Sequence, residues 1–147
     1  NSAGAGVYLG RLPDSGATAT ARTRIVPWSA GEGFDVDWFR FDAADDLFGD
    51  FSVVVSLSGL PGNNYRLTVY RGSPPGSNSS YSCGFLCLSN CRYPASKQVS
   101  SNGAGSVSIS MGEGSICSDD GGGFYVSIEQ LSGSPACVDF TLTIRNG

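Results

Sequence analysis

The chain contains the segment Val138-Asp139-Phe140-Thr141-Leu142-Thr143-Ile144-Arg145, in which apolar and polar side chains alternate strictly. A period of two places the apolar side chains on one face of a β-strand and the polar side chains on the other. The same alternation recurs in segments 51–57, 65–70, 107–111 and 124–129. One buried and one solvated face is typical of an antiparallel sheet, so the sequence predicts an all-β protein.

Shorter candidate strands lie at 7–9, 19–26 and 37–41, which gives about eight strands. Turn residues separate the strands, and Gly accounts for 21 of the 147 residues. We therefore predict a jelly-roll-like antiparallel β-sandwich of about eight strands, formed by one domain that spans residues 1–147. A chain of this length buries roughly 70% of its unfolded surface, which is enough for a core.

Residues 72–105 interrupt the alternation. This segment is rich in Gly, Ser, Pro and Asn and holds three of the five cysteines. We interpret it as one long loop, which is either a functional loop or a surface flap held by disulfides.

Composition and charge limit the partners and the compartment. The net charge is −4, and Lys97 is the single lysine. Because there is no basic run, we do not expect a nucleic-acid partner. No apolar stretch approaches 18 residues, so no membrane span is expected. Five cysteines in a Gly- and Ser-rich chain indicate an oxidising compartment, and we expect a secreted, extracellular protein.

The cysteines fall into two groups. Cys83, Cys87 and Cys91 follow one another at intervals of four, and for them a disulfide is favoured over a metal thiolate site. Cys117 and Cys137 flank one strand and precede another, so they can pair across neighbouring strands. That leaves one bridge within 83–91 and one spare thiol, which is either an intermolecular link or a buried free cysteine.

Several motifs together resemble a known family. Residues 34–42 read Phe-Asp-Val-Asp-Trp-Phe-Arg-Phe-Asp, which resembles the D-x-D-W/Y-F-x-F hallmark of bacterial pre-peptidase C-terminal domains. Segments 8–12, 51–57, 65–70, 123–128 and 140–144 resemble the other strands of the family in the expected order. Arg66 departs from the pattern, since the family has an acidic residue there.

This resemblance extends from about residue 7 to residue 145. It implies a jelly-roll-like β-sandwich of the kind that usually accompanies exported peptidases and other exported enzymes. Some members of the family bind insoluble polymers such as collagen or polysaccharide, and some bind calcium.

The sequence offers little for catalysis. It contains no histidine, which excludes Ser-His-Asp and Cys-His nucleophiles, histidine general bases and the usual zinc sites. A pair of carboxylates is the remaining option, but the glutamates are only Glu32, Glu113 and Glu129, two of them in Gly-rich turns. We therefore expect no enzymatic activity.

Aspartates crowd the stretch from residue 35 to residue 50, and an Asp-Asp pair precedes three glycines at 121–123. Calcium prefers clustered carboxylate and carbonyl oxygens, so calcium is the candidate cofactor. The alternative is that these are turn residues and charges at strand edges. The candidate calcium ligands are Asp35, Asp37, Asp45, Asp46, Asp119 and Asp120.

Aromatic side chains at loop positions or at outward positions of strands form the candidate binding set, because exposed rings stack on sugars or on partner proteins. Alternatively, several of them cap the ends of the sandwich or pack under the long loop. The candidate binding residues are Trp28, Tyr70, Tyr81 and Tyr93, with Trp38 and Tyr125 also predicted to point away from the core.

We interpret the chain as a non-catalytic secreted module that docks to an extracellular polymer or surface. An alternative is a structural subunit that assembles with copies of itself into an extracellular filament or matrix, through the spare cysteine or an open edge strand. A second alternative is a small secreted hydrolase.

Overall fold

The computed structural model describes residues 3–25, 36–44, 52–60, 62, 64–72, 96–112, 122–132 and 138–147. Within these ranges a short 3-10 turn at Ala3–Ala5 precedes nine strands, and no helix is long and apolar enough to cross a membrane. The strands are β1 Val7–Leu12, β2 Ala17–Ile25, β3 Val36–Ala43, β4 Ser52–Ser58, β5 Asn64–Arg71, β6 Ser96–Ser100, β7 Ser106–Gly112, β8 Gly122–Ser132 and β9 Val138–Asn146.

The predicted all-β class is confirmed, with nine strands where the sequence indicated about eight. The additional strand is β6, which lies inside the segment that we interpreted as a loop. It pairs with β5 at the edge of a sheet and contains a single apolar residue, Val99. An edge strand with one apolar side chain leaves no alternation for the sequence to reveal.

The strands form two sheets that face each other as a sandwich. The five-stranded sheet has the order β1-β3-β8-β5-β6, and the four-stranded sheet has the order β2-β9-β4-β7. Every neighbouring pair is antiparallel except β1 and β3, which are parallel. The predicted antiparallel sandwich is thus confirmed, and the β1–β3 pair is its parallel exception among the described strands. The chain crosses to the other sheet as β2 and then returns in the direction of β1.

The core lies between the sheets and is built from alternate residues of the central strands. Phe41 and Phe124 stack within it, with ring centroids 5.1 Å apart and an interplanar angle of 8°. The side chains with no measurable exposure include Val53, Val55, Leu57, Tyr65, Leu67, Val69, Val126, Ile128, Leu142 and Ile144. The alternation in the sequence therefore gives the correct inward face for β4, β5, β8 and β9.

A buried asparagine fixes one end of the sandwich. The Nδ2 of Asn146 donates to the carbonyl oxygens of Leu12 at 3.0 Å and Ala44 at 2.7 Å, and the Ala44 N–H donates to the Leu12 carbonyl oxygen at 2.8 Å. These bonds satisfy the buried Nδ2 donor, so the side chain of Asn146 ties the ends of β1 and β3 to β9. This anchor lies at one end of β1 and β3, two of the strands whose outer face carries the candidate binding surface.

Candidate binding surface

A row of large side chains crosses the outer face of the five-stranded sheet. The strand register places Tyr8 of β1 beside Arg40 of β3, Arg40 beside Tyr125 of β8, and Tyr125 beside Tyr70 of β5. Tyr8 and Arg40 are exposed, whereas Tyr70 and Tyr125 are half-buried. We call these four residues the aromatic row. It gives four adjacent strands a ring or a guanidinium group on the side that faces away from the core.

Trp38 extends the row along β3. Its ring centroid lies 5.7 Å from that of Tyr70, with an interplanar angle of 31°. Because β8 separates β3 from β5, the two rings meet above β8. Ser127 and Thr68 share the register of Trp38 and are only 6% and 7% exposed, although they occupy outward positions. The ring pair therefore forms an apolar cover on a face that would otherwise be polar.

Tyr8 is the most exposed ring in the part of the chain that the structure describes. It is 50% exposed, its hydroxyl donates to Asp42 Oδ2 at 2.6 Å, and the guanidinium carbon of Arg40 lies 5.1 Å from its ring centroid. The hydrogen bond to Asp42 raises the pKa of Tyr8 above its ordinary value of 10.0, with burial and the Asp42 charge acting in the same direction. The phenol is therefore neutral at physiological pH, and its ring lies against the guanidinium group of Arg40.

Two shallow cavities open on this face. One of about 170 Å³ is lined by residues that include Tyr8, Arg40 and Tyr125, and one of about 230 Å³ is lined by residues that include Arg11. A larger open depression of about 590 Å³ lies on the other sheet, where Arg24 and Asp139 form an ion pair on its wall. Its aromatic lining residue is Phe140, which is only 2% exposed. Size therefore does not make that depression the stronger candidate, because its described lining residues present no exposed ring to a ligand.

The aromatic residues proposed from the sequence are partly placed by the structure. Tyr70, Trp38 and Tyr125 lie on the outer face, as their positions in the alternation predict, whereas Trp28, Tyr81 and Tyr93 lie outside the described residues. Tyr8 is not among the binding residues predicted from the sequence. The available signal was its outward position in the opening strand, between Val7 and Leu9.

Of the candidate calcium ligands, the structure describes Asp37. This residue is 9% exposed and occupies an inward position on β3, on the same face as Phe39 and Phe41. Asp42 lies on the opposite face of the same strand. Among the described residues, no group of three or more His, Cys, Asp or Glu side chains is arranged to hold a metal. The calcium site remains a prediction, and its other candidates lie outside the described residues, namely Asp35, Asp45, Asp46, Asp119 and Asp120.

The predicted disulfides also rest on the sequence alone. All of the residues proposed for disulfides lie outside the described ranges, so the pairing and the spare thiol stay predictions. These residues are Cys83, Cys87, Cys91, Cys117 and Cys137.

The sequence matches no protein-family model, and no curated protein is significantly similar to it in sequence. In structure, the chain is similar to the pre-peptidase C-terminal domain of a collagenase from Bacillus anthracis, with a TM-score of 0.51, 10% identity and 95% coverage of both chains. Lower similarity, with a TM-score of 0.43 and 11% identity in each case, relates it to two further proteins. One is PliG of Aeromonas hydrophila, a periplasmic inhibitor of g-type lysozyme, with 97% of this chain and 100% of that chain covered. The other is CorA of Methylomicrobium album, a surface-associated copper-binding protein, with 95% and 98% covered. The first similarity supports the predicted sandwich at the level of fold alone.

Proposed function

We propose that the chain is a secreted, non-catalytic binding module, similar to pre-peptidase C-terminal domains, that docks to an extracellular polymer through the outer face of its five-stranded sheet. The observation that carries this proposal is the aromatic row with the Trp38–Tyr70 ring pair on a solvated face. The sequence motifs and the fold similarity both support the comparison with that family. The absence of histidine throughout the chain supports a role without nucleophilic catalysis.

The geometry of the face suits a ligand with repeating units. Neighbouring strands lie about 4.8 Å apart, so the row from Tyr8 to Tyr70 extends over roughly 14 Å. Aromatic rings supply large contact areas at low conformational cost and are enriched among residues that dominate binding. A polymer lying across the strands therefore meets several rings in succession.

The test compares matched variants of the two outer faces. The double variant Trp38→Ala, Tyr70→Ala removes the ring pair, and the control Thr20→Ala, Thr143→Ala changes the same number of outward residues on the four-stranded sheet. In pull-down assays with collagen fibres, cellulose, chitin and polyuronate gels, we expect the ring-pair variant to lose at least about tenfold in affinity for the polymer that the wild type binds. Equal binding by both variants would contradict the proposal.

A second candidate function is assembly of the chain with copies of itself. The open edge of β2 is the observation that favours it. This strand pairs with β9 over nine consecutive residues without a register shift, and none of the described residues pairs with its other edge. A long regular edge is a template for a further strand. Light scattering separates the routes. A large species that persists in reductant supports edge pairing, one that dissociates supports the spare cysteine, and a monomer under both conditions contradicts assembly.

A further inference from the structure

The strand β1 contains a bulge that gathers side chains beside the aromatic row. Tyr8 stands opposite Arg40 and Arg11 stands opposite Asp42, so β1 uses one residue more than β3 between the two aligned pairs. Gly10 lies within this irregularity at a φ of 99°, which a glycine adopts without steric cost. Bulges are rare in parallel pairs and are common next to active sites, where they re-aim a side chain.

The consequence concerns which side chains share a face. Strict alternation places Tyr8 and Arg11, three positions apart, on opposite faces of β1. The extra residue brings both to the outer face and turns Leu12, which strict alternation would place on the same face as Tyr8, to an inward position where it is 6% exposed. The bulge thus adds a second guanidinium group to the surface without removing an apolar residue from the core.

The two shallow cavities of this face adjoin, because Asp42 and Gly123 line both. We call the combined depression the bulge cleft and define it by Tyr8, Arg11, Arg40, Asp42 and Gly123. Gly123 forms part of its lining, and a Cβ built on it would stand 3.6 Å from Asp42 Oδ1. The missing side chain of Gly123 therefore keeps the space beside the carboxylate open.

The cleft has its own charge balance. Among the described residues that line the cleft, the charged ones are Arg11, Arg40 and Asp42, whereas the whole chain carries a net charge of −4. A guanidinium fork binds a carboxylate through two parallel hydrogen bonds. The rings of Tyr8 and Tyr125 offer an apolar face beside that fork, and Asp42 is an acceptor for hydroxyl groups.

We infer that the bulge cleft binds the carboxylate-bearing sugar residue of an acidic polysaccharide. This inference rests on the proposed function and narrows the class of polymer. The aromatic row and the cleft share Tyr8 and Arg40, so one polysaccharide chain can lie along both. Such a ligand needs an apolar ring face and a carboxylate on the same unit, and a polyuronate has both.

The first experiment measures affinity for alginate and polygalacturonate, each beside its carboxyl-reduced form. The variant Arg11→Gln, Arg40→Gln removes both guanidinium groups, and Arg145→Gln on the outer face of the four-stranded sheet makes the same chemical change at an exposed position away from the cleft. We expect about a tenfold or greater loss for the double variant on the acidic polymers, no loss on the reduced polymers, and wild-type behaviour for the control. Near-ultraviolet circular dichroism checks that all variants keep the fold.

A second variant tests whether binding needs the open space of the cleft as well as its charged groups. Gly123→Leu fills the cleft and leaves every charged group in place, and its backbone is not in the left-handed region. We expect this variant to lose affinity for the acidic polymers as well. Unchanged affinity of both the charge variant and the steric variant would overturn the inference.

A titration with sodium glucuronate, followed by NMR of backbone amides, tests binding to the cleft separately from binding to a polymer. If polymers bind but glucuronate moves no resonance of β1 or β3, the inference fails and the proposed function stands. If glucuronate moves those resonances and no polymer binds, the cleft stands and the proposed function fails. Binding to collagen fibres in preference to both polyuronates would also overturn the inference.

Discussion

The two outer faces of the sandwich rest on the same core and yet differ in chemistry. The five-stranded sheet presents the aromatic row, the Trp38–Tyr70 pair and the bulge cleft. The four-stranded sheet presents mostly short hydroxyl side chains, and Ser56 donates to Ser108 across two of its strands at 3.3 Å. Its outward Ser and Thr positions are Thr18, Thr20, Ser52, Ser56, Ser58, Ser106, Ser108, Ser110, Thr141 and Thr143.

This difference shows which positions packing controls. Inward positions of both sheets are filled by aliphatic and aromatic residues, because each of them removes apolar surface from water. Outward positions need not bury apolar surface, and on the four-stranded sheet most of them are occupied by small polar residues. Rings on the other face are therefore not required by the core, and a contiguous apolar patch on a solvated surface is a mark of an interaction site.

The largest expected difference between the faces is in stability. Trp38→Ala uncovers Ser127 and Thr68 and removes a half-buried ring, so we expect a loss of about 1–2 kcal/mol in the free energy of unfolding, less than for a fully buried Trp. The counterpart Thr20→Ser on the hydroxyl face is expected to stay within about 0.5 kcal/mol. Urea unfolding of both variants provides the comparison, and equal losses would mean that the ring pair adds nothing to the packing of its face.

The next difference concerns two ion pairs, one on each face. Arg66 Nη2 lies 2.6 Å from Glu129 Oε2 on the aromatic face, with the two side chains 36% and 33% exposed. Arg24 Nε lies 2.7 Å from Asp139 Oδ1 on the hydroxyl face, with side chains 58% and 74% exposed. Solvent screens exposed charges, so we expect a coupling free energy of about 0.5–1 kcal/mol for the first pair and a smaller one for the second.

Double-mutant cycles with alanine at both positions measure these couplings, and high salt serves as the control condition. The Arg24–Asp139 coupling is expected to disappear first as salt is added. A larger coupling for the Arg24–Asp139 pair would show that side-chain exposure does not decide the strength of these pairs.

The sequence predicts the inward face of each long strand well, because β4, β8 and β9 repeat the alternation over many residues. It does not predict that Trp38 and Tyr70 meet. Alternation gives each ring its face, but their contact depends on β3 and β5 lying on either side of β8. That order is a property of the whole topology.

The bulge is the clearest limit of the sequence analysis. A period of two assigns Arg11 to the face opposite Tyr8, and only the pairing of β1 with β3 shows the extra residue. Gly10 was the local signal, since an isolated glycine in a strand often marks a bulge. The parallel pairing of β1 was equally hidden, because it depends on where the chain returns after β2.

The smallest expected difference between the faces is in their response to pH. The hydrogen bond to Asp42 raises the pKa of Tyr8 above 10.0, so its contribution to stability is complete below that pH and is lost as the pH rises through the raised value. On the other face, the hydrogen bond from Arg24 lowers the pKa of Asp139 below 3.8, so its contribution is present above that pH and is lost as the pH falls through the lowered value. The two faces should therefore lose these contacts at opposite ends of the pH scale.

Single substitutions test each end. In a spectrophotometric titration read against Tyr8→Phe, Asp42→Asn should return the ionisation of Tyr8 toward its ordinary pH, because the charged acceptor is gone. In an NMR titration of side-chain carboxyls, Arg24→Gln should raise the pKa of Asp139, whereas Asp42→Asn should leave it unchanged. If Asp42→Asn does not alter the ionisation of Tyr8, the Tyr8–Asp42 hydrogen bond does not persist in solution. The bulge cleft would then have to position Tyr8 by the Arg40 contact alone.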